Sequence, residues 1–171
     1  MNLHIRLVRD DDIQDLVQLS LLAWVPVFAS FRQLLGHGIY GLIWPDWRTS
    51  QREAIETVCK DGDKTIVWVA ELDGKAVGFL AYELDPKDKT GVVQLLAVHP
   101  DYQNRGIGTE LNTFALNQMK DSGMRMARVE TGGDPSHAPA RRSYEKAGYT
   151  ALPLVRYFKD LTNSAVQGRP S

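Results

Sequence analysis

One stretch decides the fold of this chain: Val98-His99-Pro100-Asp101-Tyr102-Gln103-Asn104-Arg105-Gly106-Ile107-Gly108-Thr109-Glu110-Leu111. It joins the end of an apolar run to a turn with two glycines and then to an amphipathic segment. Glycines lack a Cβ atom and let backbone N–H groups approach a phosphate closely, and the dipole of a helix N-terminus favours the anion. The stretch therefore predicts a strand, a pyrophosphate-binding turn and a helix in succession.

The glycine spacing separates this turn from two common nucleotide-binding motifs. A dinucleotide-binding fingerprint needs a third glycine, which is absent, and no Gly-Lys-Ser or Gly-Lys-Thr follows, as an ATP-type phosphate-binding loop requires. A strand-to-helix turn without any ligand also fits two glycines. A second motif is needed to decide between a binding turn and a simple one.

The second motif reads His137-Ala138-Pro139-Ala140-Arg141-Arg142-Ser143-Tyr144-Glu145-Lys146-Ala147-Gly148-Tyr149. The pattern Gln103-x-x-Gly106-x-Gly108, after a strand that ends Leu96-Ala97-Val98, resembles the acetyl-CoA motif of the GNAT superfamily of N-acetyltransferases. The second motif resembles the closing helix of that family, in which an alanine, a tyrosine and a Gly-aromatic pair recur at these spacings. Together the resemblances imply a transferase that uses acetyl-CoA.

Length and composition fit a compact enzyme. A chain of 171 residues forms one domain that buries roughly 70% of its unfolded surface. Hydrophobic residues make up 43% and charged residues 24%, near globular averages, and no apolar run approaches the roughly 20 residues of a membrane helix. The net charge of −1 argues against broad nucleic-acid binding, which needs many basic contacts to phosphates. We expect neither a nucleic acid nor a membrane as partner.

The start of the chain and its cysteine content indicate the compartment. The first residues lack the long apolar core of a signal peptide, and Cys59 alone cannot form an internal disulfide. We therefore expect a cytoplasmic protein.

Hydrophobic periodicity predicts alternating strands and helices along nearly the whole chain. Strands are expected over 4–8, 65–72, 75–84, 92–98, 124–130 and within 149–161. Their order with the helices, βααβββαβαβ, matches the GNAT fold, an α/β (α+β) domain over 1–161. The resemblance implies a mixed, mostly antiparallel sheet of about six strands flanked by four helices. Residues 162–171 lack periodicity and are expected to form a mobile tail.

Turn and capping residues set the expected element boundaries. Asp73-Gly74 predicts a tight hairpin, because both positions tolerate a positive φ, and Asp46 is placed to cap the second helix. Pro26 is expected to bend or end the first helix. Gly148 is expected to end the last helix, and Pro153 to keep the final strand short or at an edge.

The resemblance implies where the cofactor binds. In the family the strand that corresponds to Leu96, Ala97 and Val98 splays from its neighbour and offers unpaired backbone groups to the pantetheine arm. The pyrophosphate contacts carry over to Gln103 and to the backbone amides of Asn104, Arg105, Gly106, Ile107, Gly108 and Thr109. Arg141 lies among the basic residues of the second half and is a further candidate for the phosphates.

Acetyl transfer to an amine needs a neutral nucleophile, an oxyanion site and a proton for the leaving thiolate. The tyrosine of the second motif, Tyr144, corresponds to the family residue that protonates the sulfur of CoA. Glu130 lies where some members carry a base, with Glu83 as a second candidate. A water chain without a dedicated base also satisfies the chemistry.

His137 departs from the commoner pattern of the family that the chain resembles, which has asparagine at this position. It replaces the asparagine's contact to the cofactor, acts on a proton because imidazole titrates near neutrality, or packs at the helix start. We place it among the cofactor-binding residues. The spacing of the four histidines suggests no metal site.

The acceptor site is expected near the first two helices, where aromatic residues cluster. Tyr40, Trp44 and Trp47 are candidates to hold an apolar or cationic amine, whereas Trp24 and Phe28 fall on an apolar stripe that favours packing.

Two function classes follow. The first is an acetyl-CoA-dependent N-acetyltransferase acting on a primary amine of a small molecule or peptide, by direct attack in a ternary complex. The second is a noncatalytic acyl-CoA-binding sensor or interaction module. A homodimer is compatible with both.

Overall fold

The computed structural model describes residues 3–162 and is built around one five-stranded sheet. In sheet order the strands are β1 (Leu3–Leu7), β2 (Thr65–Leu72), β3 (Lys75–Asp85), β4 (Thr90–Val98) and β5 (Met126–Val129). β1 to β4 pair antiparallel, and β5 runs parallel to β4. This confirms the predicted mixed, mostly antiparallel sheet.

Four helices cover the two faces of the sheet. They are α1 (Ile13–Ile43), α2 (Trp47–Lys60), α3 (Ile107–Asp121) and α4 (Ala138–Lys146). Because strand side chains alternate in direction, β3 is buried on both faces and feeds two cores. One core joins β3 to α1 and α2 through Phe79, Leu16 and Ile55; the other joins it to α3 through Leu80 and Leu111.

Local signals placed most boundaries correctly. Asp73 and Gly74 have φ values of 50° and 77° and join β2 to β3, as the hairpin prediction requires. Asp46 caps α2 by accepting from the Thr49 amide at 3.2 Å. Gly148, with φ of 92°, follows α4 as its terminator.

Pro26, which was expected to bend or end the first helix, does not end it. α1 continues through it, and the break comes at Gly36, whose φ of 71° and ψ of 167° are not helical. A proline inside a helix costs about 3 kcal/mol, but Val27 and Phe28 next to it are buried, and their burial offsets that cost.

The helical stretch Asp10–Ile43 is long and apolar enough, by length and composition alone, to cross a membrane. The composition argument had suggested that no such stretch exists. Leu16, Val17 and Leu19 of this helix are buried in the core beneath the sheet. That packing is what a core helix of a globular domain shows.

The predicted sixth strand is wrong. Residues 149–161 form no strand in the structure, and the closing order is β5 followed by α4. Pro153 cannot donate a ladder hydrogen bond, which weakens this segment as a strand. Large apolar side chains along it are 76% to 89% exposed, namely Leu152, Leu154, Val155, Tyr157 and Leu161. Of the expected tail over 162–171, all but Thr162 lies outside the described residues.

Candidate active site

The site is a cleft that opens where β4 and β5 diverge. Their parallel ladder ends at the pair Val93 and Val129, while β4 continues to Val98 without a partner strand on that side among residues 3–162. The pairing of β3 with β4 shifts register here and leaves Gln94 as an extra residue, which bends β4. A cavity of about 680 Å³ lies between the two strand ends. The splayed strand expected from the resemblance is therefore present.

Strand alternation identifies the backbone groups that face the cleft. The His99 amide donates to the Val77 carbonyl of β3 at 2.8 Å, so the amide of Ala97, two residues earlier, points the same way. The amides of Leu96 and Val98 then point into the cleft. The Val98 carbonyl accepts from the Gln103 side chain at 3.0 Å, which agrees with this orientation.

The glycine turn is open at its centre. Gly106 precedes α3 in a left-handed conformation with φ of 87°, which explains the glycine. No side chain caps α3, and its first hydrogen bond runs from Glu110 to the Gly106 carbonyl. The amides of Ile107, Gly108 and Thr109 therefore have no acceptor within the helix and are free to bind an anion.

Arg105 turns away from the centre of that turn. Its guanidinium lies 5.2 Å from the centre of the Tyr102 ring and donates to the Asp101 carbonyl at 2.8 Å. The residue supports the turn by this contact. Its predicted contact to the cofactor stays a prediction.

Gly108 has a second role that the sequence did not reveal. A Cβ atom at this position would lie 3.2 Å from the Ser143 hydroxyl of α4, so the missing side chain lets α3 and α4 approach closely. Asn112, fully buried on α3, donates to the Gly108 carbonyl and to the Ser143 hydroxyl, both at 3.0 Å. A polar residue on the apolar stripe of α3 was the available signal for this link.

Tyr144 borders the cleft from α4. Its side chain is 8% exposed, and burial, with Tyr149 nearby, raises the pKa of Tyr144 well above its usual range. The phenol is therefore protonated at working pH. Its hydroxyl makes no hydrogen bond with the described residues and is not among the fully buried unpaired atoms. The hydroxyl is thus available to donate a proton within the cleft.

His137 and Asp134 form a hydrogen-bonded pair beside Tyr144. The distance between His137 Nδ1 and Asp134 Oδ1 is 2.5 Å, and His137 borders the cleft. Burial opposes ionisation of Asp134, but hydrogen bonds from Ser136, Ser30 and His137 lower its pKa to about 2. Asp134 is therefore a carboxylate at all ordinary pH values.

The two carboxylates that the sequence proposed as bases, Glu130 and Glu83, lie in different places relative to the cleft. Glu130 borders the cleft at the end of β5, is exposed, and makes no hydrogen bond or ion pair within residues 3–162. Glu83 instead lies 3.2 Å from the Lys64 ammonium and does not line the cleft.

Arg141, the further candidate for the phosphates, also lies off the cleft lining, and donates to the carbonyls of Gly132 and Asp134 at 2.5 Å and 2.8 Å.

The aromatic candidates for acceptor binding form a stacked cluster away from the cleft lining. Trp47 is buried and stacks on Phe28 with ring centres 4.3 Å apart, and Trp44 stacks on Phe31 at 4.8 Å. Tyr40 lies against Trp44 at 5.7 Å.

The part of α1 that borders the cleft lies before Phe28, nearer the start of the helix. Trp24, Pro26 and Val27 line it. Trp24 also packs against the core that contains Leu16, which confirms the packing role that the sequence favoured. Acceptor binding by the stacked cluster stays a prediction.

No group of three or more His, Cys, Asp or Glu within residues 3–162 is arranged to hold a metal ion.

Comparison with known proteins gives the family. Residues 36–149 match the acetyltransferase (GNAT) family, which is more than half of the chain. A mycothiol acetyltransferase from Thermomonospora curvata is 33% identical over 88 residues, which cover 52% of this chain but only 29% of that relative.

Solved structures share the fold. The PaiA N-acetyltransferase of Thermoplasma acidophilum, in complex with coenzyme A, superposes with a TM-score of 0.70 at 18% identity over 89% of this chain and 92% of that one. The aminoglycoside acetyltransferase AAC(6')-Iy, in complex with a bisubstrate analogue, has a TM-score of 0.64 at 16% identity over 94% and 99%. The splayed strands, the open glycine turn and the family match lead to one conclusion: this chain belongs to the acetyltransferase (GNAT) family.

Proposed function

We propose that this protein transfers an acetyl group from acetyl-CoA to a primary amine of a small molecule or peptide, by direct attack in a ternary complex. One observation carries the proposal: unpaired amides of β4 and the protonated hydroxyl of Tyr144 border the same cleft, whose other end is the open turn before α3. These are the three groups that a CoA thioester needs to be held and cleaved.

The residues present fit CoA. The uncapped amides of Ile107, Gly108 and Thr109 suit its pyrophosphate, and the free edge of β4 suits the amide groups of pantetheine. The amides of Leu96 and Val98 face the side where an oxyanion would need stabilisation. CoA supplies the activated acetyl group when bound.

Proton transfer follows from the same geometry. Attack by the amine nitrogen on the thioester carbonyl forms the C–N bond and breaks the C–S bond. Tyr144 then supplies a proton to the departing thiolate, because burial keeps its phenol protonated. Glu130 remains the carboxylate that the sequence proposed for the ammonium proton.

The direct test is thiol release from acetyl-CoA in the presence of a panel of amines. We expect release only when a suitable amine is present, with acetylated amine formed in equal amount. A protein that binds CoA by calorimetry but releases thiol with no amine in the panel would instead be the noncatalytic acyl-CoA-binding module. Loss of both binding and release would overturn both functions.

The acceptor panel should begin with small polar amines. Two of the similar proteins are named for mycothiol and for aminoglycosides, and the second is named an N-acetyltransferase. Peptides with a free N-terminus form the second arm of the panel. Comparison of the two arms identifies the acceptor class.

We further propose a homodimer in which residues 149–161 of one copy pair with the free edge of β5 in the other. β5 has a partner strand on one side only within the described part of the chain, and apolar side chains such as Leu154 and Tyr157 are exposed on the unpaired segment. Light scattering after size exclusion is expected to give twice the mass of one chain for the wild type. The double variant Leu154→Asp/Tyr157→Asp is expected to give the mass of a single chain. A wild-type monomer at all concentrations would contradict this arrangement.

We also propose a cytoplasmic location. Cys59 is the single cysteine of the sequence, so the chain forms no internal disulfide and suits a reducing compartment. Fractionation of the native host tests the location.

A further inference from the structure

We propose that His137 and Asp134 form the dyad that accepts the proton of the acceptor ammonium group. This inference rests on the acetyl transfer proposed above and assigns its base to residues other than Glu130. It is carried by the hydrogen-bond geometry around Asp134, by the accessibility of His137 Nε2 and by the space around Gly132.

Asp134 is held on several sides. Its side chain is 6% exposed and accepts hydrogen bonds from the Ser30 hydroxyl at 2.7 Å, from the Ser136 amide at 3.1 Å and from the Ser136 hydroxyl. Ser30 belongs to α1, so two distant parts of the chain position this one carboxylate. A carboxylate fixed in this way is an acceptor only, and it therefore requires the N–H form of the nitrogen that faces it.

That requirement sets the tautomer of His137. With Nδ1 donating to Asp134, the neutral imidazole carries its lone pair on Nε2. Nε2 has no hydrogen-bond partner within residues 3–162, yet it is not one of the fully buried unpaired atoms. Because the residue borders the cleft, Nε2 is open to whatever occupies that space.

The surroundings keep the ring in place. A Cβ atom at Gly132 would lie 2.5 Å from His137 Nδ1 and would also overlap Asp134, so only glycine leaves room for the pair. The ring of Phe31 lies 5.5 Å from the imidazole centre on the α1 side. Arg141 fixes the loop by donating to the carbonyls of Gly132 and Asp134.

Other charged groups share the cleft without holding His137. Glu130, Arg142 and Lys146 border it together with Tyr144, and none of them makes a hydrogen bond or ion pair with the imidazole. Glu130 is exposed, and no contact fixes its position. A base must be positioned to work, and among these residues only His137 is positioned by a buried partner.

The proton balance is complete. The ammonium group of the acceptor gives one proton to His137 Nε2 and becomes a neutral amine. The amine nitrogen attacks the thioester carbonyl, the C–S bond breaks, and Tyr144 supplies a proton to the thiolate. The nitrogen, now bonded to the acetyl group, loses its second proton, and that proton restores the phenol of Tyr144. The imidazolium is stabilised by the Asp134 carboxylate and returns its proton to solvent.

The first test uses His137→Asn, which restores the residue type that the related family carries at this position. We expect kcat/KM for strongly basic amines near neutral pH to fall by about 10²-fold or more, and CoA affinity by calorimetry to stay near that of the wild type. With weakly basic amines, which are neutral at the assay pH, the loss should largely disappear. Asp134→Asn should give the same dependence on acceptor basicity.

Two variants provide the comparison. His4→Asn makes the same substitution at an exposed histidine of β1 and should leave every rate unchanged. Glu130→Gln should leave the dependence on amine basicity unchanged. If Glu130→Gln loses activity selectively with basic amines and His137→Asn does not, Glu130 is the base and the dyad assignment is wrong.

A second measurement does not depend on turnover. Nitrogen chemical shifts of His137 in the free protein should show the proton on Nδ1 of the neutral ring, and Asp134→Asn should remove that preference. A proton on Nε2 of the neutral ring would overturn the assignment of the dyad and leave the proposed acetyl transfer standing. Wild-type protein that acetylates no amine, with the expected tautomer present, would overturn the proposed transfer and with it any use of the dyad as a base.

Discussion

Val93 of β4 and Val129 of β5 form the last paired rung between the two parallel strands, and the cleft begins directly after them. The extra residue Gln94 follows Val93 and turns the rest of β4 away from β5. The cleft is therefore a consequence of strand pairing. The free backbone edge of β4, Glu130 and Tyr144 all lie on the side of this pair where the cleft opens.

Tyr144→Phe tests the proposed acid, because it removes only the hydroxyl. We expect kcat to fall roughly 10²-fold while CoA affinity changes little. Since burial raises the pKa of Tyr144 above its ordinary value of 10.0, wild-type activity should show no decline from Tyr144 as pH rises to that value. Equal kcat in both proteins, measured by thiol release, would exclude the hydroxyl from the reaction.

Gly108→Ala tests the close approach of α3 and α4. The added Cβ atom meets the Ser143 hydroxyl at 3.2 Å, which is already engaged by Asn112, so we expect a loss of about 1 to 3 kcal/mol in the free energy of unfolding. Urea denaturation measures it. Adding Ser143→Ala makes room for the methyl group, and the double variant should lose less than the sum of the two single variants.

Trp24→Ala and Trp47→Ala separate the cleft wall from the packed cluster. Trp24 borders the cleft and is partly buried against the core, so its removal should raise KM for the acceptor and lower the free energy of unfolding by less than the removal of Trp47 does. Trp47 is buried against Phe28, so its removal should lower the free energy of unfolding by about 3 to 5 kcal/mol. If Trp47→Ala is as stable as the wild type but loses acceptor binding, the original assignment of Trp47 to the acceptor site holds instead.

Asp12→Asn tests a buried ion pair that links β1 to the start of α1. Arg6 donates to both carboxylate oxygens of Asp12 at 2.7 Å and 2.8 Å, and also to Glu71. The hydrogen bonds from Arg6 hold the pKa of Asp12 below its ordinary value of 3.8. At neutral pH the variant should be less stable by about 2 kcal/mol, as is typical for hydrogen bonds to a charged group.

The pH dependence of this pair has a defined sign. A lowered folded-state pKa contributes stability above pH 3.8, and that contribution is lost as pH falls through the folded-state pKa. Thermal unfolding at pH 7 and at pH 3 should therefore show the difference between wild type and Asp12→Asn shrinking in acid. Asp10→Asn, at an exposed neighbour, serves as the control and should show no such convergence.

Short-range features were predictable because their causes lie within a few residues. The φ values of Asp73 and Gly74 satisfy a two-residue hairpin, and Asp46 caps the helix that follows it. Gly106 takes up a left-handed conformation that a side chain would disfavour. In each case steric limits on the backbone or one local hydrogen bond suffices.

Features that depend on distant contacts were not predictable in the same way. The expected strand within 149–161 requires a neighbour to supply its hydrogen bonds, and sequence pattern contains no information on whether that neighbour is within reach. Pro26 was expected to bend or end α1, but it does not end the helix, because burial of Val27 and Phe28 in the core outweighs its helix-breaking effect. The hydrogen bond between Ser30 and Asp134 is a further contact of this kind, because the two residues lie 104 positions apart in the chain.

The sequence by itself indicated the family, through the resemblance of its two motifs. It also determined the order of the elements up to α4 and the residues of the glycine turn, because these follow from local periodicity and from backbone conformations open only to certain residues. Tertiary structure alone decided which groups face the cleft. The direction of the Leu96 and Val98 amides follows from pairing with β3, and the orientation of His137 follows from a carboxylate that α1 helps to hold. Chemistry at this site depends on hydrogen bonds between segments that only folding brings together.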